Sequence, residues 1–145
     1  MTELKYYDQQ GNEQTIEVGV KFLTPRLRSE LIKIDSESQK EYRVVQKKAK
    51  EQLGDIKSGD PAAIDEAIRE KYNANEAATN DMLALAQLTW EWHDKTMLRM
   101  FRTIIDYNKI KEEHRSIINS DEFINTVDVE GLKEIITSFR GRYKI

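Results

Sequence analysis

The sequence predicts a mainly α-helical fold, a bundle of four to six helices that follows a short N-terminal β-hairpin. Glycine and proline are scarce, at 6 and 2 of 145 residues, so few positions interrupt a helix. Residues 16–20 alternate between apolar and polar types, as in a half-buried strand. From residue 27 onward, apolar residues recur every three or four positions, the spacing of one helix face. The length fits a single domain, 1–145, with the hairpin in 1–23 and the helices in 24–145.

The hairpin is expected around Gly11-Asn12, a pair of residues typical of tight turns. Apolar and aromatic segments flank this turn on both sides, at 4–7 and 15–22. The apolar positions of the second segment that alternate with polar ones are Ile16, Val18 and Val20. Two strands alone are only marginally stable in water, so we expect a helix or a second subunit to cover the hairpin.

The first helix is predicted to begin at Thr24-Pro25, because threonine can accept the first free amides and proline is tolerated at the first helical position. Its inward stripe repeats every 11 residues, a period that suits a straight helix. The stripe consists of Leu27, Leu31, Ile34, Ser38, Tyr42, Val45, Ala49, Leu53 and Ile56. Asp35-Ser36 is an alternative helix start within this stretch.

The remaining helices are separated by further breaks, of which Lys57-Ser58-Gly59-Asp60-Pro61 is the clearest. Asp60-Pro61 caps and opens the second helix, and a turn is expected at 73–75. Its inward residues are predicted to be Ala63, Ile64, Ala67, Ile68 and Tyr72. The third helix is predicted over 76–109, and 108–119 either continues it or forms a separate helix. After a short turn carrying Phe123 and Ile124, Asp128 is expected to cap a last helix that ends near Gly141. The buried residues of that last helix are predicted to be Leu132, Ile135, Ile136 and Phe139.

The third helix is unusual because its apolar residues occur on every side. Trp90 and Trp92 are two positions apart and point roughly 200° away from each other, so they cannot share one core stripe. A helix that is apolar all round is either enclosed in its own fold or covered partly by a partner. We predict a partner-binding surface here and expect the chain to self-associate; the enclosed core helix is the alternative. The predicted partner-binding residues are Trp90, Trp92, Met97, Met100 and Phe101.

Little in the sequence suggests catalysis. The absence of cysteine excludes disulfides, thiolate metal sites and a cysteine nucleophile. Neither His93 nor His114 has the Glu-x-x-His spacing of a di-metal helical bundle. No Gly-rich phosphate loop and no Gly-x-Ser-x-Gly nucleophile turn occurs. We therefore predict a protein that is not an enzyme, with no cofactor, no catalytic residue and no metal ligand.

The charge balance argues against nucleic acid as a partner, and the lack of a long apolar run argues against a membrane. The net charge is −3 and the pI is near 5.5, whereas nucleic-acid binders are usually basic. The basic groups at 47–50 and 140–144 are small and typical of solvated helix surfaces and helix ends, although the second also suits an acidic partner. No run of about 18 apolar residues and no secretory signal is present, which predicts a cytoplasmic protein.

The layout resembles a known family. A hairpin is followed by the Thr24-Pro25 helix, then by an apolar helix rich in Trp and Met, and finally by a tail with Phe123-Ile124 and Asp128. This order resembles the tail assembly chaperones of siphophages that infect Gram-positive hosts, and is most similar to the tape-measure-protein chaperones of lactococcal phages. The resemblance implies a protein of the infected host cytoplasm that coats the tape measure protein and keeps it soluble. It also implies self-association into rings or spirals and absence from the mature virion.

The residues themselves are compatible with such a client. A tape measure protein forms a long amphipathic helix, which binds to an apolar groove, and flexible methionines adapt to varied partners. Two other classes remain as alternatives. One is a helical-bundle enzyme with a pocket near His93 or His114, and the other is a small nucleic-acid-associated regulatory protein that uses the Lys47–Lys50 face.

Overall fold

The structure, a computed structural model, describes residues 1–54, 59–74 and 80–145. It confirms the fold class: the chain is 71% helical, with six α-helices in the described part after a two-stranded antiparallel hairpin. The elements are β1 Thr2–Tyr7, β2 Glu13–Val18, α1 Pro25–Leu53, α2 Pro61–Ala74, α3 Asn80–Ile104, α4 Glu112–Ile118, α5 Phe123–Thr126 and α6 Val129–Tyr143. A short 3-10 turn, Tyr107–Lys109, precedes α4.

The chain groups into two compact units, whereas the sequence predicts one domain. Unit 1 comprises 1–34 and 97–145, and unit 2 comprises 35–96. Each unit has its own cluster of buried apolar side chains. The chain passes from one unit to the other within α1 and again within α3. Both long helices therefore contribute residues to two separate cores.

The hairpin of unit 1 forms where the turn signal predicts it, with Leu4 paired opposite Ile16. The Asp8 carboxylate closes the turn, since its Oδ1 accepts the amide of Gln10 at 3.0 Å and that of Asn12 at 2.9 Å. Gly11 adopts a φ of +79°, a left-handed conformation that glycine takes without steric cost.

The hairpin is covered by other elements of its own unit. Leu4, Ile16 and Val18 are buried, and α6 packs against β1. Backbone hydrogen bonds extend the pairing beyond the two strands. The amide of Asp128 donates to the carbonyl of Lys5 at 2.8 Å, and the amide of Asp106 donates to that of Gly19 at 2.8 Å. These bonds add the stability that an isolated hairpin lacks.

Helix α1 confirms its predicted start and stripe. The amide of Leu27 donates to Thr24 Oγ1 at 3.1 Å, which is the expected cap. All eight described members of the predicted stripe, from Leu27 to Leu53, are buried, while Ile56 lies outside the described residues. The helix runs without interruption through Asp35-Ser36, so the alternative start is not used.

Helix α2 begins as predicted, with the amide of Ala63 donating to Asp60 Oδ1 at 2.8 Å. Ile64 and Ile68 are buried, and the alanines of the predicted stripe are half-buried. The side chain of Tyr72 lies outside the described part. Helix α2 continues through Ala74, so the turn expected at 73–75 does not begin at 73.

Helix α3 is shorter than the sequence predicts, and the prediction that it reaches Lys109 is wrong. It ends at Ile104, because Ile105 pairs as an isolated bridge with Val20 and the Asp106 amide bonds to the hairpin segment. The Asp106 side chain then caps the 3-10 turn by accepting the Asn108 amide at 3.1 Å. The following helix, α4, is a separate element; the predicted start of α3 at 76 falls outside the described residues.

The last helix buries the four residues predicted for it, but its ends differ from expectation. Asp128 occupies the cap position without a side-chain capping bond. The helix passes Gly141 and ends after Tyr143, where Lys144 takes a left-handed φ of 57° and its amide bonds to the Arg140 carbonyl. The helix end therefore lies two residues past Gly141, near the expected stop, since a glycine permits a helix end but does not impose one.

Two glycines of α6 provide a matched test of this packing. A Cβ at Gly141 would meet nothing within 4 Å, whereas at Gly131 it would lie 2.9 Å from Asp128 Oδ2 and 3.3 Å from Leu4 Cδ1. We expect Gly141→Ala to raise the free energy of unfolding by about 0.5–1 kcal/mol, since alanine favours helix more than glycine does. Gly131→Ala should not raise the free energy of unfolding by this amount, because the new methyl group would force Leu4 to shift in the core. Urea unfolding followed by circular dichroism measures both, and equal stabilisation by the two variants would contradict this packing.

Candidate protein-binding groove

A shallow groove lies between α1 and α3 within unit 2. Each helix contributes four residues at positions i, i+3, i+4 and i+7, which share one helix face. They are Glu41, Val44, Val45 and Lys48 from α1, and Leu88, Glu91, Trp92 and Lys95 from α3. Val44, Val45, Leu88 and Trp92 form an apolar floor. Two acids and two bases form a charged rim.

Trp92 is held from behind by α1. Its ring stacks on that of Tyr42, with centroids 4.1 Å apart and planes 27° from parallel. Its indole Nε1 donates to the Ser38 carbonyl at 3.0 Å. A half-buried indole with its polar atom bonded presents a rigid apolar surface to the groove, since little rotamer freedom remains to be lost on binding.

Tyr42 ties α1 to the start of α2. Its hydroxyl donates a hydrogen bond to the carbonyl of Gly59. Burial, with a further contribution from the negative charge of Asp60, raises the pKa of the Tyr42 hydroxyl to about 12. The phenol therefore keeps its proton, and with it this hydrogen bond, throughout the physiological pH range.

The rim of the groove is exposed and mixed in charge. Lys95 Nζ lies 3.6 Å from Glu41 Oε2, and Glu91 Oε1 accepts the Gln87 side-chain amide at 2.8 Å. Exposed ion pairs of this kind contribute only about 0–1 kcal/mol, so a partner could rearrange them at small cost. Between the charges, Val44 is 55% exposed. The site offers apolar area together with adaptable charges of both signs.

The five predicted partner-binding residues do not form one surface. Trp92 lines the groove. Trp90 is 39% exposed on α3, with its ring edge-on to His93 at 5.3 Å and its Nε1 3.5 Å from Asp65 Oδ1. Met97, Met100 and Phe101 are buried in the core of unit 1, where they are not accessible to a partner. The alternative interpretation, a helix enclosed in its own fold, therefore applies to the second half of α3.

Of the four apolar groove residues, Trp92 is in the predicted set, and Val44, Val45 and Leu88 are not. Val44 follows the buried Tyr42 by two positions and falls among charged residues of α1, so it stands outside the inward stripe. The signal that could have found it is the i, i+3, i+4, i+7 spacing on each helix, which places two apolar and two charged residues on one face. That pattern identifies a groove only when the two helices are known to be neighbours.

Neither histidine is among the residues that line this groove. His93 Nδ1 is 3.3 Å from Asp94 Oδ1, on the neighbouring residue of α3. Within residues 1–54, 59–74 and 80–145, no group of three or more histidines and acids is arranged to hold a metal ion. Across the same ranges, none of the helices combines the length and apolar character needed to cross a membrane.

No family model matches the chain, and no curated protein or solved structure matches it either. Functional interpretation of the groove therefore depends on its geometry and chemistry.

The two tryptophans should separate stability from surface function. Trp92→Ala removes the stack on Tyr42 and the bond to Ser38, and we expect the free energy of unfolding to fall by about 3 kcal/mol. Trp90→Ala removes a more exposed ring and should cost about 1 kcal/mol or less. Urea unfolding followed by circular dichroism compares them, and equal losses would show that Trp90 is also a core residue.

Tyr42→Phe should reveal the raised pKa. At neutral pH the variant loses the bond to Gly59 and should be less stable by about 1 kcal/mol. In the wild type the unfolded chain ionises near the ordinary pKa of 10.0, below the folded value of about 12. The wild-type advantage is therefore complete below pH 10 and should decline between pH 10 and 12. Unfolding of both proteins across this pH range measures the difference between their free energies of unfolding. A difference that stays constant from pH 10 to 12 would contradict the raised pKa of Tyr42.

Proposed function

We propose that this protein is a tail assembly chaperone of a siphophage, a non-enzymatic and self-associating protein that binds the tape measure protein and keeps it soluble during tail morphogenesis. It would act in the host cytoplasm and be absent from the mature virion. The layout of the sequence suggests the client, and the groove between α1 and α3 is the observation that carries the binding activity.

A third helix fits the groove geometry. Two neighbouring helices that each present an i, i+3, i+4, i+7 face leave a seam into which the apolar stripe of another helix can pack. Val44 from α1 and Leu88 from α3 would contribute apolar area on the two sides of the floor, and Trp92 would supply a rigid anchor. Buried aromatic anchors of this kind commonly dominate interface energies.

The mixed rim suits a client that must be released. The ion pair between Glu41 and Lys95 gives little net stability, and the apolar floor is small. A single contact would accordingly be weak. Many copies bound along one long client would still hold it by avidity, because each further contact on the same client is intramolecular. Tail-tube subunits could then displace the copies one at a time.

The same rim does not suit a polyanion. Glu41 and Glu91 alternate with Lys48 and Lys95, so the groove carries no continuous positive surface. A nucleic-acid site normally needs several adjacent cations to replace condensed counterions.

A pair of substitutions on α1 tests the proposal. Val44 and Ile32 are both β-branched and exposed, at 55% and 61%, but only Val44 lines the groove. The wild type or a variant would be co-expressed with the tape measure protein encoded in the same genome, and soluble client quantified. We expect Val44→Glu to reduce soluble client about tenfold, since a carboxylate in an apolar contact is costly to desolvate.

Ile32→Glu serves as the matched control and should keep the client soluble at the wild-type level. Circular dichroism should show both variants folded. Equal client solubility with the two variants would remove the groove as the binding site, and a wild type that leaves the client insoluble would remove the chaperone function.

A further inference from the structure

A second cleft lies wholly within unit 1, between the turn end of the hairpin and helices α4 and α5. Its floor is aromatic and apolar, formed by Tyr6, Ile117 and Phe123. Two carboxylates, Asp8 and Glu122, stand on its walls. Among the described residues that line this cleft, none is basic.

The cleft is electronegative as well as aromatic. The amide of Asn12, together with the Gln14 side chain and the Gln10 amide, holds the pKa of Asp8 below its ordinary value, so this carboxylate is ionised at neutral pH. Burial raises the pKa of Tyr6, and the charges of Asp8 and Glu113 raise it further. Tyr7 lines the same cleft and is 56% exposed, so a ring is available beside the carboxylates.

The opposite end of unit 1 carries the complementary charge. The segment 140–145 contains Arg140, Arg142 and Lys144 and no acid. Arg142 and Lys144 are exposed, and the Arg142 guanidinium lies 5.4 Å from the ring centroid of Tyr143. Cations in the last helical turn also interact favourably with the helix dipole, but Lys144 lies beyond that turn.

Helix α6 separates these two surfaces. The cleft is lined by Thr126, just before α6 begins, and the basic segment ends the helix 15 residues later. At about 1.5 Å per residue, the two surfaces are roughly 22 Å apart along the helix. The basic end of one chain therefore cannot reach the cleft of the same chain.

We propose that the acidic aromatic cleft binds the basic end of α6 from a second copy of this chain. The Arg142 guanidinium would pair with Glu122 and lie against the face of Tyr7, since guanidinium groups bind both carboxylates and aromatic rings. Lys144 would add a second cation near Asp8. The contact joins two different surfaces, so a bound pair still has one cleft and one basic segment with which to bind further copies. Repetition of such a head-to-tail contact generates a ring or an open filament.

Charge reversal tests this contact in the purified full chain, without any client. Sedimentation velocity of the wild type at increasing concentration should show assembly beyond the monomer. We expect Glu122→Lys and Arg142→Glu each to weaken self-association at least about tenfold, because each places like charges opposite each other. The double variant carries both reversals and should regain assembly close to that of the wild type.

Matched controls reverse neighbouring exposed charges of α6 that lie outside the contact. Glu134→Lys and Lys133→Glu make the same net-charge changes and should assemble as the wild type does. Raising the salt concentration from 0.1 to 1 M shortens the screening length from about 10 to 3 Å and should weaken wild-type assembly.

A wild type that stays monomeric at all concentrations would overturn the proposal. So would single reversals that leave assembly unchanged, or a double variant as weak as the singles while circular dichroism shows it folded. This contact rests on the self-association in the proposed function and not on client binding. Because the experiment contains no client, failure of the contact and failure of client solubilisation are distinguishable.

Discussion

The buried face of α1 is the constraint on which the rest of the structure depends. This helix has 29 residues, and one stripe along it is buried from end to end, although its two halves belong to different cores. Leu27, Leu31 and Ile34 pack in unit 1, while Tyr42, Val45 and Leu53 pack in unit 2. A period of 11 residues keeps such a stripe on one side of a nearly straight helix. A one-position shift of this pattern would turn the stripe toward solvent in both units at once.

That constraint also creates the groove. Val45 points into the core of unit 2, and Val44, one position earlier, is rotated about 100° away, at the edge between core and solvent. Trp92 occupies the equivalent edge of α3, where its stack on Tyr42 and bond to Ser38 hold it in place. The groove is thus the exposed margin of a packed helix pair, and buried side chains such as Tyr42 and Leu85 lie behind its floor. Its rim consists of exposed ion pairs, which can adapt to different sequences at little cost.

Much of the fold is predictable from sequence because its signals are local. The Thr24 and Asp60 caps, the turn at Gly11-Asn12 and the stripe of α1 each depend on residues close together in the sequence, and the structure has them where expected. The end of α3 is different. Ile104 and Ile105 continue an apolar helical pattern, and only the backbone pairing of Ile105 with Val20, 85 positions earlier, ends the helix there. The division into two units likewise follows from contacts distant in sequence.

The residues of the candidate groove are harder to predict for a related reason. Helix α3 serves two cores with different positions: Leu85 and Thr89 are buried in unit 2, and Met97, Phe101 and Ile104 in unit 1. Summed along the sequence, these two stripes make the helix look apolar on every side. Trp90 lies seven residues, or two helical turns, before Met97, so both residues are on the same side of α3. Met97 is buried in unit 1, whereas Trp90 belongs to unit 2 and is exposed there. A helix sequence that is apolar on every side can therefore have two explanations. The helix can pass from one core to another, or one of its sides can bind a partner. The groove that a partner could use is formed instead by residues at the margin of the unit 2 stripe, and no single-helix pattern identifies a margin until the neighbouring helix is known.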